Sequence, residues 1–173
     1  MNNKIKAYVA IIGTALILAP GLGVSASGVA PVTNTLYKNE CSGCHFAYQP
    51  GLLPARSWTK LLNNLGDHFG ENAEVSKEDL QALVTYATAN AADTSRHKRS
   101  VKINKSIGKN ETPLRITETG YIKHKHRELR TKHVKGNPQV KTLSRCEACH
   151  TRINDGSFRE REIRIPGLGR WED

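Results

Sequence analysis

Four cysteines and two adjacent histidines carry the chemistry of this sequence. They form Cys41-Ser42-Gly43-Cys44-His45 and Cys146-Glu147-Ala148-Cys149-His150, and no other cysteine occurs among the 173 residues. In a C-x-x-C-H segment two thiols add across the vinyl groups of a porphyrin, and the histidine then meets the iron. One helical turn after the first thiol brings the second thiol and the histidine to the same side of a flat macrocycle. Twin motifs that exhaust the cysteines, behind an export signal, imply two covalently bound haems c. A shared zinc is a poor fit, because the pairs lie far apart in sequence and zinc gives no reason for a histidine after each. A thioredoxin-type pair needs an alternating β and α pattern that is missing.

Each iron then needs a second axial ligand. Met1 is the only methionine and leaves with the signal, and between residues 27 and 95 the only histidine besides His45 is His68. His68 is therefore the expected partner of His45. Trp58, Leu61, Leu62 and Leu65 recur at helical steps from Ser57 to about Asp67, and His68 continues that face where Gly66 and Gly70 loosen the helix end. The loop Phe46–Pro54 can offer a carbonyl to the Nδ1–H of His45, from Pro50 or Pro54, and so fix the ring. For His150 three histidines compete on a helix expected from Thr119 through about Val134. Ile122, His126, Leu129 and His133 share one face, whereas His124 points about 200° away from Ile122. His126 has apolar neighbours on both sides and is preferred. His133 and His124 remain alternatives.

The elements that must position these ligands are helices. Residues 1–26 read as a secretory signal, with Lys4 and Lys6, an apolar run from Ala7 to Val24 and a cleavage site after Ala26; an uncleaved anchor is the alternative. Export places the protein in the periplasm, where c-type haem is attached. A first haem domain spans 28–95, a basic linker 96–112 and a second haem domain 113–173. In the first, Ser76 and Asp79 form a helix-capping pair ahead of Leu80, Leu83, Val84 and Ala87, with Trp58 and Tyr86 as core. The segment from Arg159 through Trp171 reads as packed or trailing. The fold class is mainly α: two small haem-binding domains, the first resembling class I cytochrome c with histidine in place of methionine, the second irregular and helical. With only 38% hydrophobic and 6% aromatic residues, each porphyrin must serve as core.

Charge is unevenly spread. Residues 28–95 carry 4 basic and 7 acidic side chains, residues 96–145 carry 15 and 3, and residues 146–173 carry 5 and 6. So basic a middle segment would suit nucleic acid, but export excludes that partner. A positive face that steers an acidic redox partner is expected instead, with Lys98, Arg99, Lys102 and Lys105 upon it and His97 solvated.

The block Cys41-Ser42-Gly43-Cys44-His45-Phe46-Ala47-Tyr48-Gln49-Pro50-Gly51-Leu52-Leu53-Pro54-Ala55-Arg56-Ser57-Trp58, followed by His68-Phe69-Gly70-Glu71-Asn72-Ala73, Arg115-Ile116-Thr117-Glu118-Thr119 and His126-Arg127-Glu128, resembles the bacterial dihaem cytochromes c known as DHC. The resemblance implies a bis-histidine haem in each domain, His45 with His68 and His150 with His126. It also implies electron donation, in some bacteria toward a small oxygen-binding c-type haem protein. A low-potential electron carrier, not an enzyme, is the expectation, served by a membrane-associated donor and taking no small-molecule substrate. The alternative is a haem enzyme or gas sensor, peroxidase-like, with one five-coordinate iron.

Overall fold

The computed structural model describes residues 28–171; the expected signal lies outside them. Asn34 opens α1 (Thr35–Cys41) by accepting the Tyr37 N–H at 2.8 Å, and the helix ends on the first thiol residue. Helix α2 (Ala55–Leu62) starts directly after Pro54, whose fixed φ suits a helix start. It buries Ser57, Trp58, Leu61 and Leu62. The helix expected to run to Asp67 breaks at Asn63 and Asn64, and a 3-10 turn, Leu65–Asp67, completes the approach to His68. In α3 (Lys77–Ala89) the Ser76 hydroxyl accepts the Asp79 N–H at 3.0 Å, the first half of the capping pair, and donates to the Asp79 carboxylate at 2.7 Å.

These three helices enclose one core of Tyr37, Leu53, Trp58, Leu61, Leu83 and Ala87. Tyr37 sits at its centre, 1% exposed, with ring centres 6.4 Å from Trp58 and 5.1 Å from Tyr86. The Trp58 indole donates to the Pro50 carbonyl at 2.7 Å. That bond folds the loop after the first motif back over α2.

The segment 96–112, expected as an aperiodic linker, instead contains α4 (Lys98–Lys105). Ser100, Ile103 and Ile107 follow one another at three- and four-residue steps and are buried. Surrounding lysines and arginines hid that narrow stripe from a reading by composition. Ile103 and Ile107 pack with Val29 and Leu52 in a second core. Gly51 permits the contact, because a Cβ there would meet Ser100 Oγ at 2.6 Å and Val29 Cγ1 at 2.8 Å. His97, expected in solvent, is half-buried at the N-cap of α4.

Helix α5 (Gly120–Lys125) is also shorter than expected and stops at His126 rather than near Val134. The Thr119 hydroxyl donates to the Ile116 carbonyl instead of capping the helix. Lys123 and Arg127 would repel at i,i+4 spacing in a longer helix. Residues 131–133 form a separate 3-10 turn. After the second motif the chain closes with a short hairpin, β1 (Arg164–Ile165) antiparallel to β2 (Gly169–Arg170). The start of the described chain runs against this unit: Val29 N–H donates to the Gly156 carbonyl at 3.0 Å. Gly156 has φ +69°, and a Cβ there would collide with the Val29 carbonyl oxygen. Only glycine meets both demands.

Candidate haem sites

At the first site Cys41 ends α1, and a turn carries the chain through Cys44 to His45. The His45 Nδ1 lies 2.8 Å from the Phe46 carbonyl. This corrects the expected Pro50 or Pro54 acceptor: Pro50 receives the Trp58 indole, and Pro54 receives the first amides of α2. With Nδ1 engaged, Nε2 is the nitrogen left for a metal. His68 faces His45 with ring centres 6.0 Å apart and planes inclined by 29°.

His68 is aimed by a tight turn. His68 and Glu71 form an antiparallel bridge, and the two residues between them, Phe69 and Gly70, have φ +59° and +97°. Such a two-residue turn demands positive φ at both central positions. Phenylalanine is unusual there and costs about 1–3 kcal/mol. The Phe69 ring contacts the His68 ring edge-on at 4.9 Å and carries the Arg115 guanidinium 4.0 Å from its centre. These contacts offset part of the strain.

At the second site Cys146–Ala148 form a 3-10 turn, and the His150 N–H reaches the Cys146 carbonyl at 2.9 Å. One turn thus separates the first thiol from the histidine, as the porphyrin geometry demands. His126 faces His150 with ring centres 6.1 Å apart and planes crossed at 76°. The His126 Nδ1 lies 2.8 Å from the Ile122 carbonyl, which fixes that ring in the way Phe46 fixes His45. His124 lies elsewhere, exposed, with Nε2 3.2 Å from Arg127. The His133 Nδ1 accepts the Arg130 N–H at 3.0 Å, and its ring meets Trp171 edge-on at 5.4 Å.

A cavity around His126 and His150 exposes Cys146 and Cys149 and is walled by Leu52, Ile122, Leu129, Val140, Phe158 and Ile163. Of the two readings of the tail, packed or trailing, it takes the first: Arg164 N–H donates to the Cys149 carbonyl at 2.9 Å, and Ile163, Ile165 and Trp171 join the wall. Ile163 and Ile165 are only two residues apart, too brief an alternation to signal a strand. Leu52, from the loop after the first motif, also lines this cavity.

The electrostatics suit neutral ligands. Burial, then His126 and Arg99, push His150 down to about 4; burial, then His45 and Arg115, lower His68. A metal-bound histidine must be neutral. Burial raises the Cys41 thiol to about 11, helped by Glu40, and Cys146 to about 12, helped by Glu147. Buried, electrically neutral thiols of this kind suit addition to an apolar macrocycle. No group of three or more histidine, cysteine or acidic side chains is placed to hold a bare metal ion among the described residues.

A porphyrin between the facing histidines fits these distances. Two imidazoles on opposite sides of one metal, each bound at about 2 Å, put their ring centres roughly 6 Å apart. Among the described residues the buried Nδ1 atoms of His68 and His150 have no hydrogen-bond partner.

Residues 37–158 match the family model described as dihaem cytochrome c. The chain belongs to the dihaem cytochrome c family. Among solved structures it is similar to a dihaem cytochrome c of Shewanella baltica OS155, with 34% identity, a TM-score of 0.68 and coverage of 80% of this chain and 98% of that one. A dihaem cytochrome c of Rhodobacter sphaeroides matches with 39% identity, a TM-score of 0.67 and coverage of 75% and 100%. A second structure, of DHC purified from Rhodobacter sphaeroides, matches at 38% identity and a TM-score of 0.60, with coverage of 74% and 99%. A comparison with curated proteins finds no match. This dihaem cytochrome c accordingly carries two covalently bound c-type haems and takes part in haem-based electron transfer with a redox partner.

Proposed function

We propose that this cytochrome is an exported, low-potential electron carrier whose two irons are each held between two histidines. Cys41 and Cys44 bind the first haem, with His45 and His68 as axial ligands. Cys146 and Cys149 bind the second, with His150 and His126. The haem supplies a reversible one-electron change at iron. The observation that carries the reading is the spacing of the two ring pairs, 6.0 and 6.1 Å, at the positions the motifs single out.

The protein's part follows from that spacing. Phe46 and Ile122 carbonyls hold His45 and His126 in one orientation, so little ligand movement accompanies a change of charge. Histidine on both faces leaves no position for a substrate, which disfavours the peroxidase or sensor alternative. With no methionine beyond Met1, the ligand that raises haem potential is missing and the potentials are low.

The partner is an acidic redox protein in the periplasm, drawn by the basic face. Lys98, Lys102 and Lys105 are exposed on α4. Arg99 does not belong to that face: it is half-buried, donates to the Tyr121 hydroxyl and the Phe158 carbonyl at 3.0 Å each, and lies over both rings.

The axial assignment is tested by substitution. His68→Ala should open the first iron to carbon monoxide in the reduced protein and His126→Ala the second, one equivalent each, whereas His124→Ala and His133→Ala should open neither. Carbon monoxide binding in the His133 or His124 variant, with none in the His126 variant, would reassign the ligand.

A further inference from the structure

Tyr48 packs against the His45 ring at the first site and reaches the chain just ahead of the second motif. Its ring lies 4.9 Å from the His45 ring, inclined by 34°, and 5.9 Å from Phe46. Its hydroxyl donates to the Ser144 carbonyl at 2.6 Å, two residues before Cys146. Its own carbonyl accepts the hydroxyl of buried Tyr37 at 2.8 Å. The side chain is therefore held at both ends and from behind, and none of these bonds belongs to a helix or strand. Next to it, the buried Gln49 amide donates to the Ile153 carbonyl at 2.6 Å, a second tie across the same seam.

We propose that Tyr48 is the bridge for electron exchange between the two haems. The path runs from the His45 imidazole to the Tyr48 ring, through its hydroxyl to the Ser144 carbonyl, and along the backbone to Cys146. It contains one ring contact and one hydrogen bond; the rest is covalent. One electron crosses at a time: iron at the donor site goes from Fe(II) to Fe(III) as iron at the acceptor site goes from Fe(III) to Fe(II). No atom or proton moves, so Tyr48 acts as a positioning residue and is itself neither oxidised nor reduced. The inference rests on the haem sites proposed above, and on the first site most of all, since His45 begins the path.

The seam could instead be a structural clamp, and Tyr48→Phe separates the two roles. Phenylalanine keeps the ring against His45 and removes only the bond to Ser144. Pulse radiolysis of the intact dihaem protein deposits one electron per molecule, and the redistribution between haems is followed in the visible spectrum, with both midpoint potentials measured beside it. The bridge predicts redistribution several-fold slower in Tyr48→Phe and slower again in Tyr48→Leu, with unchanged potentials. Ser144→Ala retains the carbonyl and should match the wild type. A Tyr48→Phe rate equal to that of the wild type, or a slowing accounted for by a shift in either potential, would overturn the proposal. The wild-type spectrum reads the axial ligands separately: a high-spin iron there would sink the bis-histidine reading without bearing on the effect of Tyr48→Phe.

Discussion

His126 and His150 face each other with ring centres 6.1 Å apart and planes crossed at 76°. His45 and His68 keep nearly the same separation, 6.0 Å, but their planes lie within 29° of parallel. Near-parallel imidazoles direct both π interactions at one iron d orbital and split it from its neighbour; crossed imidazoles divide the interaction and leave the orbitals close in energy. The ferric protein should therefore show two low-spin electron paramagnetic resonance signals in equal amounts. The rhombic signal should vanish in His68→Ala, and the signal with the large maximum g value in His126→Ala. Two identical signals would contradict the geometry.

Arg99 should matter for folding. Arg99→Ala removes two charge-assisted hydrogen bonds and the contacts with Tyr121 and Phe158, and should cost about 2–4 kcal/mol. Arg99→Lys keeps the charge but loses the two-pronged geometry, and should recover only part. Denaturant unfolding followed by helical circular dichroism measures both.

How much of this was legible in the sequence differs from place to place. The C-x-x-C-H motifs, the capping pair Ser76 and Asp79, and the stripe from Trp58 to Leu65 could be read because each depends on neighbours a few residues away. Helix α4 could not: Ser100, Ile103 and Ile107 make a stripe too narrow to stand out among basic residues, and their partners Val29 and Leu52 are distant in sequence. The role of Arg99 is hidden for the same reason, since Tyr121 and Phe158 approach it only in the fold. The Phe46 carbonyl carries no sequence signal of its own, whereas Pro50 and Pro54 do, and their oxygens are used by Trp58 and α2. His126 stood out by its apolar flanks, although the long helix invoked to carry it ends at Lys125.

Replacing Lys98, Lys102 and Lys105 by glutamate should change stability by no more than about 1.5 kcal/mol in all, about 0.5 kcal/mol for each exposed side chain. It should nevertheless slow electron transfer to an acidic partner. Electrostatic steering raises such rates roughly 10- to 1,000-fold at low salt and fades as the Debye length shrinks toward about 8 Å. Stopped-flow oxidation over a range of ionic strength should show a steep fall for the wild type and a shallow one for the variant. A flat wild-type profile would remove the docking role.

Gly156→Ala should destabilise the protein by about 1–3 kcal/mol, since the new Cβ would collide with the Val29 carbonyl at a positive φ. Gly43→Ala is the control, because a Cβ there meets nothing within 4 Å. Thermal unfolding of the two variants compares them directly.

Carbon monoxide tests the pairing of His45 with His68 and of His126 with His150 most directly. Protein matured with c-type haem should hold two haems that survive acid-acetone extraction. When reduced under carbon monoxide, both irons should stay low-spin and six-coordinate, with the spectrum essentially unchanged. Fast, stoichiometric binding of carbon monoxide at either haem of the wild type would contradict the account.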